Sequence, residues 1–94
     1  MIAVELLPDL TGLPGYGAVT ALHEFGFAFV SETKGGYDKY VHEDGSQVWI
    51  RPNGEVIRLG PKVKARSGKK YHPRFDQSGH TTKLHSTGEV LDLE

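Results

Sequence analysis

The chain has 94 residues, 37% hydrophobic and 24% charged, with a formal net charge of −1 and no cysteine. That length holds one domain with one modest core, which excludes a multidomain enzyme and a large cofactor-binding fold. Without cysteine there is neither a disulfide framework nor a cysteine zinc site, and no apolar run reaches the roughly 20 residues of a membrane-spanning helix. Residues 1–15 are apolar but broken by Pro8, Gly12, Pro14 and Gly15, and they read as an irregular arm. The arm carries Glu5 and Asp9 but no Lys or Arg, unlike a signal peptide. Tyr16–Phe25 then suits a short helix, with Val19, Leu22 and Phe25 at helical spacing and Gly26 placed to end it as a left-handed cap. Phe27, Phe29 and Val30 form a β-rich run that closes at Lys34-Gly35-Gly36.

Three strands are predicted next: Tyr37–His42, Gln47–Arg51 and Glu55–Leu59. The turns between them, Asp44-Gly45 and Asn53-Gly54, are the pairs that tight hairpins require, because glycine and asparagine accept positive φ. In the middle strand Val48 and Ile50 alternate with Trp49 and Arg51, so one face is aliphatic and the other aromatic and basic. Residues 60–80 have no clean period and read as a long basic loop. Thr81–His85 and Glu89–Leu93 read as a closing hairpin around Ser86-Thr87-Gly88. The expected fold class is α+β: a short N-terminal helix, a small antiparallel β-meander, a basic loop and a C-terminal hairpin. Residues 1–15 are expected to form the arm, or the end of something longer, and residues 16–94 a single α+β domain.

The near-zero net charge hides an asymmetry. Residues 1–33 hold four acids and no Lys or Arg, whereas residues 34–79 hold ten Lys or Arg against five acids. Arg58, Lys62, Lys64, Arg66, Lys69, Lys70 and Arg74 follow one another with no acid between them. Such a block neutralises phosphates and draws in a polyanion.

Two resemblances enter on specific residues. Residues 22–50, with Gly26-Phe27 after the helix, Tyr40, and the turn His42-Glu43-Asp44-Gly45, resemble the core of HicA-type toxins, small RNA-cleaving proteins. Tyr37 stands where that family has its catalytic histidine, and a phenol titrating near about 10 does not replace imidazole as a base. The resemblance therefore implies the layout and not the active site. The stretch from Tyr37 to Leu93 resembles the C-terminal toxin domains of bacterial polymorphic toxins of the Rhs, haemagglutinin-like and contact-dependent-inhibition types. This second resemblance implies a ribonuclease toxin delivered by a producing cell to a target-cell cytoplasm, and neutralised by a dedicated immunity protein. Charge complementarity makes that partner acidic.

Metal-independent RNA cleavage needs a base for the 2′-hydroxyl, an acid for the leaving 5′-oxygen and a cation for the phosphorane. His72, His80 and His85 cluster near Lys69, Lys70 and Arg74, and histidine serves both proton roles near neutral pH. His85 and His80 are the foremost candidates, with His72 beside them and Glu89 placed to orient His85 across a tight turn. Arg66, Lys69, Lys70 and Arg74 are the expected phosphate contacts, Arg74 as a planar two-oxygen clamp. Trp49 and Arg51 are the expected base contacts. His42 and His23 read as structural. No HExxH motif is present and the histidines have basic neighbours, so neither a metal nor another cofactor is expected. GxSxG, GxGxxG and Walker motifs are absent. The alternatives are a non-enzymatic nucleic-acid-binding module and a protein-interaction domain that docks through the acidic first third.

Overall fold

The structure, a computed structural model, describes residues 1–93. Two helices, α1 (Ala3–Leu6) and α2 (Gly15–Glu24), precede strands β1 (Ala28–Glu32), β2 (Asp38–Val41), β3 (Gln47–Ile50) and β4 (Val56–Leu59). Four two-residue strands follow: β5 (Val63–Lys64), β6 (Lys70–Tyr71), β7 (Arg74–Phe75) and β8 (Thr81–Thr82). β1-β2-β3-β4-β7-β8 form one antiparallel sheet, and β5 and β6 form a separate hairpin between β4 and β7. The α+β meander expected from the sequence is therefore present, and its turns are built as the glycines implied. Gly26 ends α2 at φ +84°, and Gly45 and Gly54 close the β2–β3 and β3–β4 turns at φ +95° and +93°.

The strand register separates two faces. Tyr40, Val48, Arg58 and Phe75 stand opposite one another across β2, β3, β4 and β7, and all four are buried. This face packs with Ala3, Val4, Leu7, Leu10, Ala18, Leu22 and Leu91 into one core. Residues on alternate positions form the outer face: Lys39, Trp49 and Ile57 in one row, and Val41, Gln47, Leu59, Arg74 and Thr82 in the next.

Two sequence expectations change here. The irregular arm is part of the core: Val4 in α1, and Leu7 and Leu10 in the extended segment after it, are all buried and pack with the inner face of the sheet. The closing hairpin is not formed. β8 pairs with β7, and residues 87–91 run instead along residues 54–56, at the entry to β4. There the Val56 amide donates to the Glu89 carbonyl at 3.1 Å, and the Leu91 amide donates to the Gly54 carbonyl at 2.9 Å. Gly54 allows this approach: a Cβ there would lie 2.8 Å from the Leu91 carbonyl oxygen. The long loop is likewise more ordered than its composition implies, since it contains β5, β6 and β7.

The arm is fastened by groups distant in sequence. Arg58, expected in the solvent-facing basic block, is fully buried. Its Nε and Nη2 donate to the two Glu89 carboxylate oxygens at 2.8 and 2.9 Å. Nη1 donates to the Val4 and Leu7 carbonyls and Nη2 to the Pro8 carbonyl, each at 2.8 Å. All five guanidinium donors are thereby used, and the open carbonyls at the end of a one-turn helix are satisfied. The Leu10 amide donates to Glu89 Oε2 at 2.7 Å.

At the other end of α1, Asp44 from the β2–β3 turn accepts from the Ala3 amide at 2.8 Å and from the Ser46 amide at 2.7 Å. Burial pushes the Asp44 carboxyl up, but these hydrogen bonds together outweigh it and leave the pKa below its usual value. Asp9, bonded by Thr11, and Asp76, bonded chiefly by the His80 amide, are also lowered. A carboxyl with a depressed folded-state pKa adds stability above its unfolded pKa and loses it as pH falls through the folded value. Melting temperature should therefore drop from about pH 4 downward. Asp44→Asn should make that drop shallower; an identical acid limb in thermal melts would show that Asp44 contributes nothing to it.

Candidate nucleic-acid interface

The β5–β6 hairpin is exposed along its whole length. Val63 pairs with Tyr71 and Lys64 with Lys70, and the turn closes through the Ala65 amide donating to the Lys69 carbonyl at 2.8 Å. Lys64 and Lys70 stand directly opposite each other, an arrangement that costs stability unless a counter-charge lies between them. Lys62, Arg66 and Lys69 are exposed on the same arm. None of these five cations forms an ion pair with a described carboxylate.

At the base of the arm lies an open cleft of about 510 Å³, lined by Tyr71, Pro73, Arg74, Thr81, Thr82 and Lys83. The lining combines two cations, two hydroxyls and a half-exposed phenol ring. Arg74 and Thr82 face each other across β7 and β8, and Arg74 Nη1 donates to the His85 carbonyl at 3.3 Å. Guanidinium, ammonium and hydroxyl donors with no carboxylate among them fit a phosphate group.

His72 sits between β6 and β7. Its Nδ1 lies 2.8 Å from the Gly60 carbonyl oxygen, which only accepts, so Nδ1 carries the proton and Nε2 is the basic nitrogen of the neutral ring. His80 ends the β7–β8 turn, where its amide donates to Asp76 Oδ1 at 3.0 Å and its carbonyl accepts from the Asp76 amide. His85 is exposed, and its backbone carbonyl meets Arg74. Of the three candidate histidines, His72 alone has its ring fixed by a hydrogen bond among the described residues.

Glu89 does not orient His85. Both of its carboxylate oxygens are occupied by Arg58 and Leu10 inside the core, because residues 87–91 follow β4 rather than folding back on β8. Arg66, Lys69, Lys70 and Arg74 belong to the arm and cleft as grouped from the sequence. Trp49, Arg51 and the three candidate histidines are not among the residues lining the cleft; His72 lies between the lining residues Tyr71 and Pro73, and Trp49 and Arg51 lie on the outer face of the sheet. Lys83 was missed by sequence reasoning. It follows the two-residue β8 in a segment of net negative charge, and only the β7–β8 pairing brings it beside Arg74. His42 accepts from the Asp44 amide at 3.0 Å and packs edge-on against Phe27, a turn-holding role. His23 is exposed in the last turn of α2.

Among the described residues no group of three or more His, Asp or Glu side chains is arranged to hold a metal ion. None of the described helices is long and apolar enough to cross a membrane. Comparison with protein-family models, with curated proteins and with solved structures gives no match.

Proposed function

We propose that this chain is a bacterial toxin domain that binds and cleaves RNA at the cleft between the basic arm and β8. The observation that carries the reading is Lys64 opposite Lys70 on an exposed arm, unpaired by any described acid and leading into a cleft of phosphate-binding donors. A polyanion supplies the missing counter-charge.

In this reading Arg74 and Lys83 hold the scissile phosphate, and the arm cations hold the phosphates beyond it. His72 Nε2 takes the 2′-hydroxyl proton. The 2′-oxygen attacks phosphorus, the bond to the 5′-oxygen breaks, and His85 returns a proton to that oxygen. The products are a 2′,3′-cyclic phosphate and a 5′-hydroxyl. His80, on the adjoining turn, is the second candidate for the acid. tRNA or ribosomal RNA is the expected target, and an acidic immunity protein covering the arm is the expected partner. In a toxin of this kind the domain is delivered by a producing cell and acts in the cytoplasm of its target.

Incubating the purified protein with total RNA, with and without EDTA, tests the reading. Discrete fragments with cyclic phosphate ends, formed equally in EDTA, are expected. RNA that is bound but never cleaved leaves a non-enzymatic binding module. Failure to bind RNA at low salt removes both.

A further inference from the structure

The outer face of the sheet carries a cluster of aromatic rings and cations outside the cleft. Tyr37 packs edge-on against Trp49, with ring centroids 5.9 Å apart. Lys39 Nζ lies 5.7 Å from the Trp49 ring centre, and the Arg51 guanidinium lies 5.3 Å from the Tyr37 ring centre. All four residues are partly exposed. Two cations and two aromatic rings thus share one patch, and this sheet face contributes only Ile57 to the buried apolar residues.

The patch is continuous with the cleft. Trp49 lies on β3 and shares its face with Gln47, whose cross-strand row continues through Leu59 to Arg74 and Thr82. β3 and β7 are two strand spacings apart, about 10 Å. One extended strand of nucleic acid is long enough to occupy both places. Base pairing would hide the ring faces from Trp49 and Tyr37, whereas an unpaired base presents its full π-face. Arg51 adds a second indication. Its Nε is buried and meets no hydrogen-bond acceptor among the described residues, and the carboxylate of Glu55 is 3.7 Å from Nη1. A buried unsatisfied donor is costly, and the remaining guanidinium nitrogens, on a partly exposed side chain, are the ones open to an acceptor on a base edge.

We infer that Tyr37, Lys39, Trp49 and Arg51 form a base-stacking subsite for single-stranded RNA, one strand running from this patch to the phosphate cleft at Arg74. This inference rests on the reading of the protein as an RNA binder. It adds that the substrate is unpaired where it crosses the sheet.

Trp49 is the sole tryptophan, so its fluorescence reports the patch directly. A short 2′-O-methyl RNA strand, which the proposed chemistry does not cleave, should quench that fluorescence as it binds. The same strand in a duplex, and an abasic strand of the same length, should bind the basic arm with little quenching. Trp49→Leu should weaken binding of the single strand by about 5- to 100-fold, the range typical of one stacked base, and leave abasic-strand binding unchanged. The quenching measurement needs no variant, so it stands even if Trp49→Leu fails to fold. Equal quenching by abasic and base-bearing strands, or tight binding with none, would overturn the subsite. Cleavage of unmodified RNA is scored separately. Cleavage with an unresponsive Trp49 removes the subsite alone, and quenching without cleavage supports the subsite while removing the nuclease reading.

Discussion

Glu89→Ala should destabilise the fold by about 3–5 kcal/mol, because it leaves Arg58 charged, buried and without its carboxylate. Small domains are stable by only about 5–15 kcal/mol, so the variant should be largely unfolded at modest urea concentrations. Arg58→Ala should be as severe. It strands the Glu89 carboxylate and also removes the donors to the Val4, Leu7 and Pro8 carbonyls. Arg58→Met combined with Glu89→Leu should recover part of the loss, since no buried charge remains, but not all of it, since those carbonyls stay unsatisfied. Urea titration of the four proteins decides the matter. A Glu89→Ala variant within about 1 kcal/mol of the parent would mean that the arm is held chiefly by its apolar side chains. Any loss of activity in Glu89 variants is accordingly a loss of fold, with no effect exerted through His85.

A large effect on activity should come from His72. Its Nε2 is the base in the proposed reaction, and removing a general base typically slows a reaction by about 100- to 10,000-fold. His72→Ala should therefore nearly abolish RNA cleavage. It also removes one hydrogen bond to Gly60, a stability cost of about 1 kcal/mol, so thermal melts should show an intact fold. His85→Ala should slow cleavage comparably if it supplies the leaving-group proton, and His80→Ala should do so if that role falls to the turn instead. RNA affinity should stay close to parental in all three, because the phosphate contacts come from Arg74, Lys83 and the arm. Single-turnover cleavage, a binding titration and a melt on each variant separate these roles. Full activity in both His72→Ala and His85→Ala would remove the proposed site.

What was legible in the sequence follows from what short-range rules register. The Asp44-Gly45 and Asn53-Gly54 turns, the Gly26 cap and the alternation through Gln47–Arg51 all depend on neighbouring residues, and each was readable. Tyr37 and Tyr40, three residues apart, fall on opposite faces by the same alternation. Arg58 was hidden because both faces of β4 are apolar. Val56 and Arg58 share the core face while Ile57 and Leu59 share the other, so alternation does not say which way the arginine turns. Counting charge along the chain then placed it with the exposed lysines. The arm was obscured by its prolines and glycines, and by a helix of one turn, too short to leave a period. Within the site, the basic arm was legible as a charge run. The cleft was not, because it is assembled by two-residue strands too short to leave a pattern.

The Arg58–Glu89 pair also sets an order on how the chain is made. Synthesis delivers the arm first, β4 next and Glu89 31 residues after Arg58. Until Glu89 has left the ribosome, Arg58 has no carboxylate to meet in the interior, and enclosing it alone would be strongly unfavourable. Closing the core around Arg58 is thus disfavoured in the nascent chain until Glu89 joins it, so full docking of the arm on the sheet follows that step. Any activity that depends on the closed fold begins only when that step is complete.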